Sequence, residues 1–296
     1  MHRILAILSL SFLSIQAWAG DSIPLADPYI LLENGVYYAY GTHSADGIEV
    51  YTSTDLENWT LSGLALSKEN TTETRWFWAP EVYRRGSVFY MFYSANEHLY
   101  VATSSSPTGP FRQEGGLLMQ DLIGEEQCID SSVFFDDDGK AYLYFVRFTD
   151  GNYIWMCDLD ARLRPVRGTL RPCFGVSQPW EQHEGKVAEG PFVIKHRGIY
   201  YLTYSANDYR SQDYGVGYAI STSPYGPWQK SDTNPILFHH DGRYGTGHHS
   251  FFRDKKDRLR IVYHAHHSST TVPPRMMYVG SAKFRKKELR VVSHHP

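Results

Sequence analysis

Apolar, aromatic-rich runs return along this chain at a spacing of roughly 50–60 residues, the kind of period that marks a propeller or a solenoid. The five runs are Gly35–Thr42, Ser87–Asn96, Lys140–Arg147, Gly198–Asn207 and Arg258–His264. The second and fourth share the ending Tyr-Ser-Ala-Asn. A shorter apolar segment precedes each run: Asp27-Pro-Tyr-Ile, Ala79-Pro-Glu-Val, Asp130-Ser-Ser-Val-Phe, Glu189-Gly-Pro-Phe-Val and His249-Ser-Phe-Phe. Asn34-Gly35 and Asp138-Gly139 are tight-turn dipeptides of the sort that join paired antiparallel strands. A third run follows, clearest at Ile48–Ser53, Leu99–Ser104 and Val216–Ser221, and then a turn and a closing element such as Ser223–Trp228. Asp158–Pro165 reads as an altered third copy of that ending, and Met277–Ala282 with Glu288–Val292 completes the fifth. Each unit is thus a four-stranded antiparallel sheet, and the pattern predicts an all-β, five-bladed β-propeller. A two-sheet sandwich would not require five similar units.

Composition adds 22 Tyr, 15 Phe and 7 Trp, which suit pleated sheets and also the faces of sugar rings. A net charge of -3, with both signs interspersed, points to neither nucleic acid nor an acidic membrane surface as partner. At the start of the chain, His2 and Arg3 precede an apolar run from Ile4 to Ile15 and then Ala17-Trp18-Ala19. That is the pattern of a signal peptide over residues 1–19, too short for a membrane span of about 20 residues. The expectation is a secreted or periplasmic protein with residues 20–296 as a single catalytic propeller, and a monomer. Cys128, Cys157 and Cys173 are too few for a disulfide-built scaffold, although one bridge stays open.

Inner strands line a propeller's central channel, so the starts of the five lead segments should meet near the axis. Four leads carry an acid (Asp27, Glu81, Asp130, Glu189), expected at the same point of successive blades, and the fifth carries His248 and His249. Unpaired charge is expensive in a core, so these acids read as acid–base chemistry. Inverting glycosidases need one carboxylate to activate water and one carboxylic acid for the leaving oxygen, about 6.5–9.5 Å apart. Residues from different blades across a narrow channel suit such a spacing. Trp76, Phe77 and Trp78 form an aromatic patch expected to wall a sugar pocket in part and to pack the core in part. His43 is a further pocket candidate. Asp136-Asp137-Asp138 reads as an exposed hairpin turn, and His264, His266 and His267 lack the cysteine or carboxylate pattern of a zinc site.

These segments resemble glycoside hydrolase family 43. The resemblance rests on Ala26-Asp27-Pro28-Tyr29-Ile30, Trp78-Ala79-Pro80-Glu81-Val82, Ile129-Asp130-Ser131, Ala188-Glu189-Gly190-Pro191 and Gly247-His248, in that order along nearly the whole chain. It implies Asp27 as general base, Glu189 as general acid, and Asp130 as the residue that orients the acid and tunes its pKa. It also implies Arg275 as a substrate contact, Trp78-Ala-Pro80 with Glu81 as a structural motif, and His248 as an axial histidine near a hydrated Ca2+ or Na+. No organic cofactor is implied. The expected substrate is an oligosaccharide or polysaccharide from plants, with exo release of an arabinofuranosyl, xylosyl or galactosyl unit and α-L-arabinofuranosidase activity favoured. An endo-arabinanase and a non-catalytic carbohydrate-binding propeller are the alternatives. Retaining fructosidases on a similar propeller carry Arg-Asp-Pro and Glu-Cys motifs, where this chain has Ile129-Asp130-Ser131 and Glu189-Gly190.

Overall fold

Each of the five aromatic runs is the second strand of its own antiparallel sheet in the computed structural model, which describes residues 17–19 and 22–292. The inner strands are Ala26–Glu33, Trp78–Arg85, Cys128–Phe135, Ala188–His196 and Gly247–Arg253, and they begin blades one to five. From its inner strand each blade runs outward through four strands in chain order, so the protein is a five-bladed β-propeller. Ala17–Ala19 adds a short strand to the outer edge of blade one. The apolar run of the expected leader, Ile4–Ile15, lies outside the described residues. Among those described, no helix is long and apolar enough to cross a membrane.

The apolar runs are nearly continuous because both faces of a blade are covered by its neighbours. Tyr142, Leu143, Tyr144, Phe145 and Val146, successive residues of blade three, are all buried. The core falls into five clusters, each between adjacent blades. Tyr40 and Val50 of blade one meet Phe77 and Tyr93 of blade two, and the last cluster joins Ile30 and Tyr37 to Phe252 and Val262 of blade five. Full burial of each large apolar side chain stabilises the fold by about 1.5–3 kcal/mol, so stability is spread around the ring. The expected third copy, Asp158–Pro165, holds only the end of a strand. The outer strands of blade three are Asn152–Leu159 and Arg171–Phe174. Sequence reading slipped there because the true closing strand lacks the Pro-Tyr-Gly-Pro turn found in blade four.

One local feature recurs in all five inner strands. The register with the second strand slips by an extra residue just after Ala26, Trp78, Ile129, Glu189 and Gly247. The residue that follows takes left-handed backbone in each: Asp27 (φ 49°), Ala79 (43°), Asp130 (58°), Gly190 (54°) and His248 (42°). Bulges bend a strand and re-aim its side chains. Only one of these five is glycine, so four inner strands hold a conformation that side chains disfavour. Such strain persists where packing over-determines it, as at an axis shared by five strands.

Candidate active site

The bulge corrects one expectation directly. Asp27 and Asp130 occupy the left-handed position, Glu189 lies one residue before it, and Glu81 two residues after Ala79. The four acids therefore do not stand at one equivalent point, and their different offsets aim them at two different spaces. A cavity of about 310 Å³ is lined by Asp27, Asp130, Glu189, Trp78, Phe148 and Arg275, among others. A second cavity of about 10 Å³ lies deeper, lined by Glu81, Ser131, Pro191 and His249. Asp27, Asp130 and His248 border both.

Asp27 is buried, and the Arg275 guanidinium donates to its Oδ1 at 2.8 Å. His248 Nδ1 stands 3.3 Å from the same oxygen. Burial pushes the Asp27 carboxyl up, but Arg275 and then His248 outweigh it and hold the group well below the usual range. The Asp27 main-chain N–H donates to His264 Nδ1 at 3.1 Å, which makes that nitrogen an acceptor. His264 is fully buried and its pKa is pushed down to about 3 by burial, so the ring is neutral.

Glu189 has the opposite environment. Tyr214 donates its hydroxyl to Oε1 at 2.8 Å and Asn152 its amide to Oε2 at 2.8 Å. Burial dominates even so, Asp27 adds repulsion, and the carboxyl is raised to about 7. One carboxyl of the pocket is thus held ionised and another is held protonated up to neutral pH. Asp130 is raised well above its ordinary value by burial, with Glu189 and Asp27 adding to it. Its Oδ2 accepts the Gly190 main-chain N–H at 3.1 Å, so it grips the backbone next to Glu189.

The remaining expected residues divide. Trp78 lines the pocket and stacks on Trp76, whose ring lies under Arg75. Phe77 does not reach the pocket: it precedes the inner strand, is 2% exposed and packs in the core against Tyr93. His43 is likewise not among the pocket's lining, and pairs with Glu49 at 2.7 Å. Glu81 is buried beside the narrow cavity, takes the Tyr83 hydroxyl, and is raised well above the carboxylate range by burial. Asp136 is not simply exposed: its carboxylate accepts from Lys195 and Tyr200 of the next blade, while Asp137 is open to solvent. The three cysteines are free thiols. Sequence reading missed Asn152, Tyr214 and His264 as site residues. His264 carried a signal, since it ends the second strand of blade five just where Thr42, Ser94 and Ser205 end theirs. Asn152 and Tyr214 carried none.

The narrow cavity beside His248 is too small for a calcium ion with its ligands. The narrow cavity has room for about one water, whereas calcium takes six to eight oxygen ligands. No group of three or more His, Cys, Asp or Glu able to hold a metal occurs among the described residues. A single water suits Ser131 Oγ and His249 Nδ1, the two buried polar atoms of that cavity without a protein partner. His264 and His266 are turned to Asp27 and to the Tyr209 carbonyl, which accounts for the histidine cluster without zinc.

The family model for glycosyl hydrolases family 43 matches residues 22–285. A beta-D-galactofuranosidase, xynD, of Aspergillus niger is 28% identical over 83% of this chain and 75% of its own length. An extracellular endo-alpha-(1->5)-L-arabinanase of Bacillus subtilis is 26% identical over 74% of this chain and 72% of its own. A crystal structure from Bacteroides thetaiotaomicron, described as an endo-1,4-beta-xylanase, superposes with a TM-score of 0.88 at 44% identity, covering 95% of this chain and 97% of that one. With a family model spanning four inner-strand motifs and the fifth blade's histidines, this chain belongs to glycosyl hydrolases family 43.

Proposed function

We propose that the protein hydrolyses glycosidic bonds with inversion, Asp27 acting as general base, Glu189 as general acid and Asp130 setting the acid in place. The observation that carries this reading is the opposed protonation of two carboxyls facing one cavity. Ionised Asp27 takes a proton from water as its oxygen bonds the anomeric carbon. Glu189 gives its proton to the departing oxygen as the glycosidic bond breaks, and solvent then restores both groups. Arg275 and His248 keep the base ionised, and Trp78 offers an apolar wall to the sugar.

The substrate in this reading is a plant oligosaccharide or polysaccharide ending in an arabinofuranosyl unit, released singly. The cavity of about 310 Å³ stands at the small end of ligand pockets, which favours a terminal unit over a long bound chain. The galactofuranosidase and arabinanase relatives support a furanosyl sugar, and the extracellular relative supports export, with residues 1–19 as leader. The test is release of 4-nitrophenol from the α-L-arabinofuranoside, β-D-xyloside and β-D-galactoside, with Glu189→Gln alongside. Turnover of the arabinofuranoside, reduced by ~10²–10⁴ in the variant, is the expected result. Silence on all three with oligomers released from linear arabinan would assign an endo-enzyme. Glycan binding that survives in Glu189→Gln, with no turnover in either protein, would assign a binding propeller.

A further inference from the structure

Five equivalent amides ring the axis, one at each bulge, and four are held in the same way. Ala79 N–H donates to Thr42 Oγ1 at 3.0 Å, Asp130 N–H to Ser94 Oγ at 3.0 Å, His248 N–H to Ser205 Oγ at 2.8 Å and Asp27 N–H to His264 Nδ1 at 3.1 Å. Every acceptor belongs to the second strand of the preceding blade. Each sits at one register position, opposite the residue just before the bulge: Thr42 opposite Ala26, Ser94 opposite Trp78, Ser205 opposite Glu189, and His264 opposite Gly247. In blade three that position, opposite Ile129, is Val146, which is buried and has no acceptor. The amide it would have held is that of Gly190, and this one goes to Asp130 Oδ2 at 3.1 Å.

A buried N–H must find an acceptor. We propose that Val146 is a positioning residue for the acid: by offering the Gly190 amide nothing, it leaves that amide to Asp130 and so ties the Asp130 carboxyl to the peptide carrying Glu189. The proposal rests on the acid role of Glu189 given above. A hydroxyl at this position competes for the Gly190 amide, as Thr42 takes that of Ala79. Asp130 then loses a donor that favours its ionised form. It carries less negative charge, its repulsion of Glu189 weakens, and the acid loses its proton at lower pH. The other groups facing the pair are Asp27, Glu81, His248, Arg275, Tyr214 and Asn152.

Val146→Thr is the test, with Val262→Thr in blade five reporting the cost of a buried hydroxyl alone. Acid catalysis matters most for poor leaving groups. The variant is therefore expected to lose ~10-fold or more in kcat on an alkyl or sugar aglycone and little on a dinitrophenyl glycoside, with KM nearly unchanged. Its alkaline limb moves to lower pH, whereas Val262→Thr keeps the wild-type leaving-group dependence. In 15N-labelled wild-type protein the Gly190 amide shift should follow a carboxyl titration, and in Val146→Thr it should not. Wild-type leaving-group dependence in Val146→Thr together with an unchanged Gly190 titration would overturn the proposal. So would a wild-type Gly190 shift that follows no titration, even if the variant fails to fold. If the wild type cleaves no glycoside, the hydrolase reading fails while the Gly190 shift still decides the hydrogen bond.

Discussion

Two carboxyls of one pocket differ because their partners differ. Asp27 meets a guanidinium, and Glu189 meets only a phenol and an amide in a buried setting. The base must be ionised and the acid protonated, so kcat/KM should fall as pH rises through about 7, where Glu189 loses its proton. No acid limb is expected between pH 7 and the ordinary aspartate range, because Asp27 ionises well below it. Arg275→Gln removes the group that lowers Asp27 most, and also one that lowers Glu189. Both limbs should move to higher pH, the acid limb rising toward the ordinary aspartate range and the fall near pH 7 starting later. A variant profile with unmoved limbs would show that Arg275 does not set them. Asp27, Asp130 and Glu189 were legible in the chain because each sits in a short motif on an inner strand. Asn152 and Tyr214 were not, since one starts the third strand of blade three and the other precedes the third strand of blade four, and only blade packing brings them to the carboxyls.

At the scale of elements, the loop after the last strand of blade three is pinned by a buried ion pair. Lys230 Nζ lies 2.7 Å from both carboxylate oxygens of Glu181, and 2.6 Å from the Gly175 carbonyl. Glu181 also takes the amides of Ser177 and Gln178 and the Tyr204 hydroxyl. Breaking such a pair from one side leaves a buried charge without its partner, at a cost of about 3–5 kcal/mol. Lys230→Met should therefore lower stability in urea unfolding by that much. A midpoint within error of the wild type would mean that the loop tolerates the unpaired charge. In the sequence this stretch reads only as a long loop between apolar runs, because its two charged partners are far apart along the chain.

For the whole molecule, the weak point of a ring built from contiguous blades is its seam. Among the described residues no strand is exchanged between the first and last blades. Instead, Met277 N–H donates to the Ile23 carbonyl at 2.8 Å, Ser250 Oγ to the Pro28 carbonyl at 3.1 Å, and Lys255 N–H to the Tyr37 hydroxyl at 3.0 Å. Ile23 is fully buried in the cluster that joins the two blades. Ile23→Ala should cost about 2–5 kcal/mol in urea unfolding, as large-to-small core changes do. A loss under about 1 kcal/mol would show that the seam does not depend on this segment. Asp27 hangs from the seam through His264, so the variant should also lose activity below its melting transition.

The sequence by itself determined the repeat and the strand type and singled out three candidate carboxyls, because periodicity, turn dipeptides and short motifs are local properties of the chain. Phe77 shows the limit: its type and its place beside Trp78 suit a sugar pocket, yet packing between blades one and two takes it into the core. The three-way offset of the acids around the bulge shows it again, since a one-residue register slip leaves no mark in composition. Tertiary structure alone decided which acid is ionised and which is protonated, because a carboxyl's proton affinity depends on burial and on neighbours from other blades. It also decided that the Gly190 amide belongs to Asp130, through a valine in blade three where the other blades place an acceptor.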